Sequence, residues 1–151
     1  MILKRTNTVD APFQALTKLL DSELNARYGK LQSTYDKHNV MAPIETALVG
    51  FDADVPIACG CFKNIDDATV EMKRMFVVPQ YRRRGFSSQL LHELEQWACA
   101  LGYSIARLET GKSQPEAIAL YQKQGYEVVE NFEPYVGMSN SVCMHKELRS
   151  E

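Results

Sequence analysis

Apolar positions recur along the chain with two periods, which predict helices in some segments and strands in others. A short first strand is followed by four apolar residues at helical spacing: Phe13, Leu16, Leu20 and Leu24. Asp10 is a suitable N-cap for this helix, and Gly29 is a suitable end. The next segment, LQSTYDKHNV at 31–40, predicts either a second, weaker helix or an irregular loop.

The middle of the chain is predicted to form three strands. TALVGF and VPIACGCFKN flank the residues DAD, which predict a hairpin turn. In ATVEMKRMFVVP the side chains should alternate between two faces, one with Val70, Met72, Phe76 and Val78, and the other with Glu71, Lys73, Met75 and Val77. Pro79 has no N–H and holds the preceding residue extended, so this strand is predicted to stop there.

In the second half, helices alternate with strands. The helix after Gly85 carries a stripe that we predict to lie in the core: Phe86, Leu90, Leu94, Trp97, Ala98 and Leu101. Gly102 should end it, and the strand YSIARLET follows. A capping box of Ser113 and Glu116 then predicts a helix that closes at Gly125. With YEVVENF and SVCMHKEL as final strands, the order β-α-α-β-β-β-α-β-α-β-β predicts an α/β (α+β) fold with helices on the faces of a mixed sheet.

Length and composition narrow the class of protein. The 151 residues fit a single domain, 1–151, with 45% hydrophobic and 24% charged residues, as in soluble globular proteins. A net charge of −2 argues against a general nucleic-acid-binding protein. No stretch approaches the about 18 apolar residues of a membrane span, and the first residues lack a secretory signal. We therefore expect a cytoplasmic protein without nucleic-acid or membrane partners.

The cysteines do not predict a metal site. Cys59, Cys61, Cys99 and Cys143 are sparse and lie within apolar patterns, which is typical of free, buried thiols in a reducing compartment. Cys59 and Cys61 would share a strand face, but no second ligand pair follows, and the histidines are scattered. We expect no metal.

The three adjacent arginines, Arg82 to Arg84, stand between a strand and a helix. A helix start carries unpaired N–H groups and the positive end of the helix dipole, and it binds phosphate well. Gly85 lacks a Cβ, so a ligand can approach its backbone, while Ser87 and Ser88 are small hydrogen-bond donors. The arginines would add charge-assisted contacts to phosphate oxygens. This junction is therefore a candidate anion site.

Other interpretations of the junction stay open on these residues alone. The segment could be a basic surface loop before an ordinary helix. A nucleic-acid patch is less suitable, because such patches usually hold roughly five to eight basic residues. The segment lacks the Gly-Lys-Ser/Thr of a P-loop and has one glycine where a dinucleotide fingerprint needs three.

The segment VVPQYRRRGFSS at 77–88 resembles the acyl-CoA-binding signature of the GNAT N-acetyltransferase superfamily. The family pattern Arg/Gln-x-x-Gly-x-Gly/Ala is here Arg82-x-x-Gly85-x-Ser87, and Ser87 departs from it with a residue that is still small. QPEAIALYQKQGYEVV at 114–129 resembles the family's later helix and strand, and SVCMHKEL resembles its final strand. The resemblance covers roughly residues 45 to 148.

This resemblance implies a mixed, mostly antiparallel sheet of six to seven strands with about four helices. Its central strands, Glu71–Val78 and Ser104–Glu109, should splay apart. Acetyl-CoA is the implied cosubstrate, with its pantetheine arm in the gap and paired with the backbone around Met75, Phe76 and Val77. Its diphosphate should lie on the backbone N–H groups of Arg83, Arg84, Gly85, Phe86, Ser87 and Ser88.

The implied reaction is acetyl transfer to a primary amine of a small molecule or amino acid, by direct attack in a ternary complex. Tyr121 matches the family's tyrosine that protonates the departing thiolate; alternatively it is a core residue. Glu71 resembles the general base of some members; alternatively it pairs with a nearby Lys or Arg. A backbone N–H near Phe76 or Val77 would stabilise the oxyanion. Gln114 lies where the family often has a polar residue near pantetheine, or it serves only to solvate the helix start.

The acceptor is the least determined part. The resemblance places it between the N-terminal helices and the loop before the last strand. Candidate acidic residues are Glu23, Asp36 and Glu133, and candidate aromatic residues are Tyr28, Tyr35 and Tyr135. A peptide or protein amine, a non-catalytic acyl-CoA-binding module and a plain phosphate- or nucleic-acid-binding domain remain alternatives. A homodimer is also open, since the last strand could extend a sheet across two copies.

Overall fold

Secondary structure follows the predicted order in residues 1–28 and 42–151, which the computed structural model describes. The strands are β1 Ile2–Thr6, β2 Ala47–Asp52, β3 Val55–Asn64, β4 Thr69–Val77, β5 Ile105–Gly111, β6 Glu127–Val129 and β7 Ser141–Glu147. The helices are α1 Ala11–Tyr28, α2 Phe86–Ala100 and α3 Pro115–Lys123, with a 3-10 helix at Pro79–Tyr81. This part of the chain has three α-helices where about four were predicted; the second predicted helix or loop, and Gly29, lie outside the described residues. None of these helices is both long and apolar enough to cross a membrane.

The seven strands form one mixed sheet in the order β1-β2-β3-β4-β5-β7-β6. The pairs β1–β2, β2–β3, β5–β7 and β6–β7 are antiparallel, and β4–β5 is parallel, which confirms the predicted class of sheet. The parallel ladder covers only three positions, from Thr69 opposite Ile105 to Glu71 opposite Arg107. The pairing of these two central strands therefore ends at Glu71.

The chain divides into two units. Unit 1 comprises Met1–Lys63 and Lys73–Leu94, and unit 2 comprises Asn64–Met72 and Glu95–Glu151. In unit 1, side chains of α1 pack on one face of the neighbouring strands; the cluster is Phe13, Leu16, Ala47, Val49, Cys59, Cys61 and Phe76. In unit 2 the buried apolar residues include Ala106, Leu108, Tyr126, Cys143 and Met144.

One predicted helix cap is confirmed, and the other lies at a different residue from the one predicted. The N–H of Phe13 donates to Asp10 Oδ2 at 3.2 Å, so Asp10 caps α1 as predicted. The capping box of Ser113 and Glu116 assumed that Ser113 is the N-cap of α3. The N-cap is instead Gln114, whose side chain makes no capping bond. The reason is Pro115, which occupies the first helical position and so moves the cap one residue along the chain.

The predicted alternation of faces in β4 does not run through the whole strand. Arg74 has a φ of 60°, a left-handed conformation that interrupts the two-residue period as a β-bulge does. Its Nη2 donates to Asp21 Oδ1 at 2.8 Å and to the Thr17 carbonyl at 3.2 Å, both on α1. The Arg74 side chain is thus directed to α1, and the left-handed conformation of Arg74 interrupts the predicted grouping of Val70 through Val78 into two faces.

Two further predictions need correction. Leu90, Leu94 and Ala98 of the α2 stripe are buried, but Leu101 is 55% exposed because α2 ends at Ala100. The last strand, β7, is not a sheet edge, since β5 pairs with it on one side and β6 on the other. That strand therefore cannot extend the sheet across a dimer in the way we expected.

Candidate functional site

The segment between β4 and α2 holds the three arginines in a turn with two left-handed residues. After the 3-10 helix, the N–H of Arg82 donates to the Pro79 carbonyl at 3.2 Å. Arg83 has a φ of 65° and Gly85 a φ of 79°. A non-glycine residue in this region is uncommon and costs energy, so the surrounding structure must hold Arg83 there.

The start of α2 presents backbone amides next to an unobstructed glycine. The amide of Gln89 donates to the Gly85 carbonyl at 3.1 Å, which closes the first turn of α2, and the first amides of an α-helix generally point away from the helix body without an acceptor inside it. A Cβ built on Gly85 would meet no heavy atom of the described residues within 4 Å. The structure therefore brings the predicted residues Gly85, Phe86, Ser87 and Ser88 together at a helix start that an anion could approach.

Arg82 is engaged by protein groups on both sides. Its Nε donates to the Val77 carbonyl at 2.8 Å, and its Nη2 donates to Glu23 Oε2 at 2.6 Å. The guanidinium also lies 5.5 Å from the Phe76 ring centroid. Arg82 therefore ties the turn to α1 and to the end of β4, and Glu23, an expected acceptor residue, is used in this ion pair.

The other two arginines are exposed. The Cζ of Arg84 lies 5.1 Å from the ring centroid of Tyr81. Arg83 follows Arg82 directly in the turn, with its side chain in solvent. These two residues can therefore supply positive charge without giving up an ion pair.

The end of β4 offers its backbone rather than its side chains. A Cβ on Gly60 would lie 2.5 Å from Met75 Sδ, so the Met75 side chain covers that glycine. Phe76 packs in the cluster with Phe13, and Val77 packs with Ile57 and Ala58. The side chains of Met75, Phe76 and Val77 are therefore all used in packing.

Unit 2 holds Glu71 in an ion pair. Arg107 Nε donates to Glu71 Oε1 at 3.0 Å, and the Glu71 side chain is only 3% exposed. The Arg107 guanidinium also stacks on Phe132, with its Cζ 3.9 Å from the ring centroid. Of the two interpretations given for Glu71, the ion pair is therefore the arrangement present, and it leaves the role in catalysis to experiment.

Glu109 is a candidate that the sequence analysis missed. Ser141 Oγ donates to Glu109 Oε2 at 2.8 Å, and the charge of Glu109 contributes to raising the pKa values of Tyr121, Tyr135 and Cys143. The available signal was its position two residues after Arg107, which puts both side chains on one face of β5. The Glu109 carboxylate therefore acts electrostatically on all three of these groups.

Tyr121 is a buried phenol with a strong preference for its protonated form. Burial, and then the charge of Glu109, raise the pKa of Tyr121 to about 12. Its ring meets the ring of Tyr126 edge-on, with 5.9 Å between centroids. Tyr126 in turn donates its hydroxyl to Glu95 Oε2 at 2.8 Å, which holds that ring in place. The Tyr121 phenol is thus neutral near physiological pH, and its ring is packed against a ring that is itself held in place.

The remaining predicted residues have mixed placements. Gln114 is the N-cap of α3, and its carbonyl accepts from the N–H groups of Ala117 and Ile118. Tyr135 is buried, and Asn131 Nδ2 braces its loop by donating to the Tyr135 carbonyl at 3.1 Å. Glu133 is exposed. The predicted acceptor residues Tyr35 and Asp36, and the Tyr28 side chain, lie outside what the structure describes.

The cysteines are placed largely as predicted. Cys59, Cys61 and Cys143 are buried free thiols, and Cys99 is half-buried. Burial raises the pKa of Cys61 to about 12, so this thiol stays protonated. Among residues 1–28 and 42–151, no group of three or more His, Cys, Asp or Glu side chains is placed to hold a metal ion.

Comparison with known proteins covers nearly the whole chain. The model of the acetyltransferase (GNAT) family matches residues 13–126. The IAA acetyltransferase of Azospirillum brasilense is 32% identical over an alignment of 145 residues that covers 92% of this chain and 95% of that protein. A structure assigned as an acyl-CoA N-acyltransferase from Klebsiella pneumoniae has a TM-score of 0.80 at 32% identity, over 98% of this chain and 97% of that one. A GNAT family acetyltransferase of Elizabethkingia anophelis with acetyl-CoA bound shares the fold, with a TM-score of 0.60 at 21% identity over 68% of this chain and 75% of that one.

Proposed function

The chain belongs to the acetyltransferase (GNAT) family and is an acyltransferase, and we propose that it transfers the acetyl group of acetyl-CoA to a primary amine of a small molecule or an amino acid. The observation that carries this proposal is the start of α2, where a left-handed glycine with open space at its Cβ position adjoins helix-start amides. Acetyl-CoA is also the ligand in the Elizabethkingia anophelis relative.

Cosubstrate binding follows from these groups. The diphosphate of acetyl-CoA accepts hydrogen bonds from the backbone amides between Arg83 and Ser88, where the helix dipole favours negative charge. Arg83 and Arg84 add positive charge nearby, and Arg82 holds the turn in shape. The pantetheine arm pairs with the main chain of Met75 and Val77, and Gln114 contributes a polar group to it.

The reaction is a direct displacement in a ternary complex. The neutral amine nitrogen attacks the thioester carbonyl carbon, a C–N bond forms, and the oxyanion is stabilised by a backbone N–H of Phe76 or Val77. As the C–S bond breaks, Tyr121 donates its phenolic proton to the thiolate of coenzyme A. The proton that the attacking nitrogen loses on becoming an amide then returns to the Tyr121 phenolate, directly or through water. An alkylamine with a pKa of about 10.4 is mostly protonated near neutral pH, so its proton must first pass to a carboxylate or to water.

Two carboxylates can accept that proton, and their glutamine variants distinguish them. Glu71 is our first assignment, and Glu109 is the alternative that the structure adds because it shares its surroundings with Tyr121. Replacing the true acceptor by glutamine should lower kcat by about 10²–10⁴-fold. The other variant should keep kcat within about tenfold. If both variants keep kcat, water accepts the proton and neither assignment holds.

We expect Arg82 to contribute to coenzyme A binding through its hydrogen bonds to the protein as well as through its charge. Arg82→Ala removes the contacts to Glu23 and Val77, while Arg84→Ala removes the same charge from an exposed side chain. Because hydrogen bonds to charged groups contribute more than surface charge, we expect Arg82→Ala to weaken coenzyme A binding by about tenfold or more, and Arg84→Ala by about threefold or less. Titration calorimetry of both variants measures this, and equal losses would show that only the net charge of the turn counts.

The proposed activity is tested by free-thiol release from acetyl-CoA with a panel of amines. Saturable release that depends on a small amine or amino acid supports the proposal. Release only with peptides or proteins would favour the alternative of a peptide or protein N-acetyltransferase. Binding of acetyl-CoA without release for any amine would contradict the proposed transfer.

A further inference from the structure

Only one nitrogen of the Arg107 guanidinium, Nε, is hydrogen-bonded to the described part of the protein. Its Nε is bonded to Glu71, and its face is stacked on Phe132. Within residues 1–28 and 42–151, its Nη1 and Nη2 make no hydrogen bond. The side chain is 21% exposed, and the described residues leave no buried side-chain nitrogen without a partner, so these two nitrogens reach solvent.

The open edge of Arg107 has a fixed direction. The bond from Nε to the buried Glu71 sets the rotation of the guanidinium, and the Phe132 ring sets its plane. The two Nη groups then form a planar fork that matches both oxygens of a carboxylate. A guanidinium held in this way loses little side-chain freedom when an anion binds.

An acidic group stands beside this fork. Glu109 is two residues further along β5 on the same face, and Ser141 holds its carboxylate by a hydrogen bond of 2.8 Å. A positive charge is thus next to a negative one on a single strand face. A simple cationic amine would meet Glu109 favourably but would also lie near the like charge of Arg107.

We propose that the acceptor is an α-amino acid, whose carboxylate binds Nη1 and Nη2 of Arg107 and whose amino group faces Glu109. An α-amino acid carries an anion and an amine on one carbon, and so complements both side chains at once. This inference rests on the proposed function and narrows the acceptor to one chemical class.

The test compares matched acceptors with the wild-type protein. Phenylalanine, its primary amide and phenethylamine differ only in the carboxylate, and the leucine series repeats the comparison with an aliphatic side chain. We expect kcat/KM for the free amino acid to exceed that for the amide and the amine by about tenfold or more, as loss of a charge-assisted contact predicts. Turnover of all three at similar kcat/KM would overturn the inference while leaving the proposed acetyl transfer intact.

A variant of Arg107 tests whether this residue causes the preference for acceptors with a carboxylate. Arg107→Lys keeps the positive charge beside Glu71 but loses the fork and the stacking on Phe132, so the preference for the carboxylate should fall by about tenfold while coenzyme A affinity stays close to wild type. Arg149→Lys, at an exposed position, is the matched control and should keep the preference. A preference that survives in Arg107→Lys would overturn the assignment. Absence of turnover with every amine would overturn the proposed function, and the inference with it.

Discussion

Replacing Tyr121 by phenylalanine is expected to lower kcat by about 10²–10⁴-fold while leaving the affinity for acetyl-CoA unchanged. The hydroxyl is the group that we propose to protonate the departing thiolate, and its loss leaves that thiolate without a donor. The ring itself remains, so packing against Tyr126 is preserved. Thiol-release kinetics give kcat, and titration calorimetry gives the affinity.

Tyr126→Phe is the matched control for this experiment. It also removes one buried phenol of unit 2, but that hydroxyl is bonded to Glu95. The control should lose stability and keep kcat within about tenfold. If Tyr121→Phe turns over as fast as wild type, Tyr121 is a core residue and the proton reaches the thiolate from elsewhere.

The raised pKa of Tyr121 leads to a prediction for the pH dependence of kcat. An ordinary tyrosine has a pKa of about 10 and would be half ionised at that pH. Burial and Glu109 raise the pKa of Tyr121 to about 12, so about 99% of it keeps its proton at pH 10. We therefore expect no alkaline fall in kcat below about pH 10. A fall with a midpoint near pH 9 would contradict the assignment of this phenol as the acid.

Replacing Gly85 by alanine is expected to weaken coenzyme A binding by about tenfold or more. The change puts a methyl group into the open space above the helix start, where the diphosphate must approach the backbone. It also strains a residue with a φ of 79°, at a cost of about 1–2 kcal/mol. Titration calorimetry and thermal unfolding separate these two effects.

Gly102→Ala supplies the control for strain alone. Gly102 has a φ of 98° and no heavy atom of the described residues within 4 Å of its Cβ position, yet it follows the far end of α2. Both variants should lose similar stability, and only Gly85→Ala should lose affinity for coenzyme A. Equal affinities in the two variants would show that the ligand does not approach Gly85.

Local features of the sequence predicted most of the fold. Asp10 caps α1 by accepting a hydrogen bond from the N–H of Phe13, only three residues further along the chain. Pro79 lacks an N–H and has a fixed φ, so β4 ends just before it. The α2 start was predictable because Gly85 and the helical period after it are neighbours in the chain. These features depend on residues within one or two turns of each other.

The features that the sequence did not predict depend on distant residues. Arg82 is held by Glu23, 59 positions away, and Glu109 is held by Ser141, 32 positions away. Arg74 is bonded to Thr17 and Asp21, 57 and 53 positions away, and the internal place of β7 in the sheet follows from its pairing with β6. No spacing pattern encodes such pairings. The sequence therefore predicted all three arginines as anion ligands and did not predict that Arg82 is bonded to Glu23 and Val77.

Family membership favours one of the interpretations that the junction left open. An isolated basic loop, or a domain for phosphate or nucleic acid, has no reason to match the acetyltransferase (GNAT) family over residues 13–126. What the family leaves undetermined is the acceptor, and here the paired charges of Arg107 and Glu109 carry the argument.

Titration calorimetry of coenzyme A against pantetheine tests the central claim most directly, because pantetheine keeps the arm and lacks the diphosphate that the start of α2 should bind. We predict saturable binding of coenzyme A at one site, at least about 100-fold tighter than binding of pantetheine. Equal affinity for the two compounds, or no binding of coenzyme A, would contradict it.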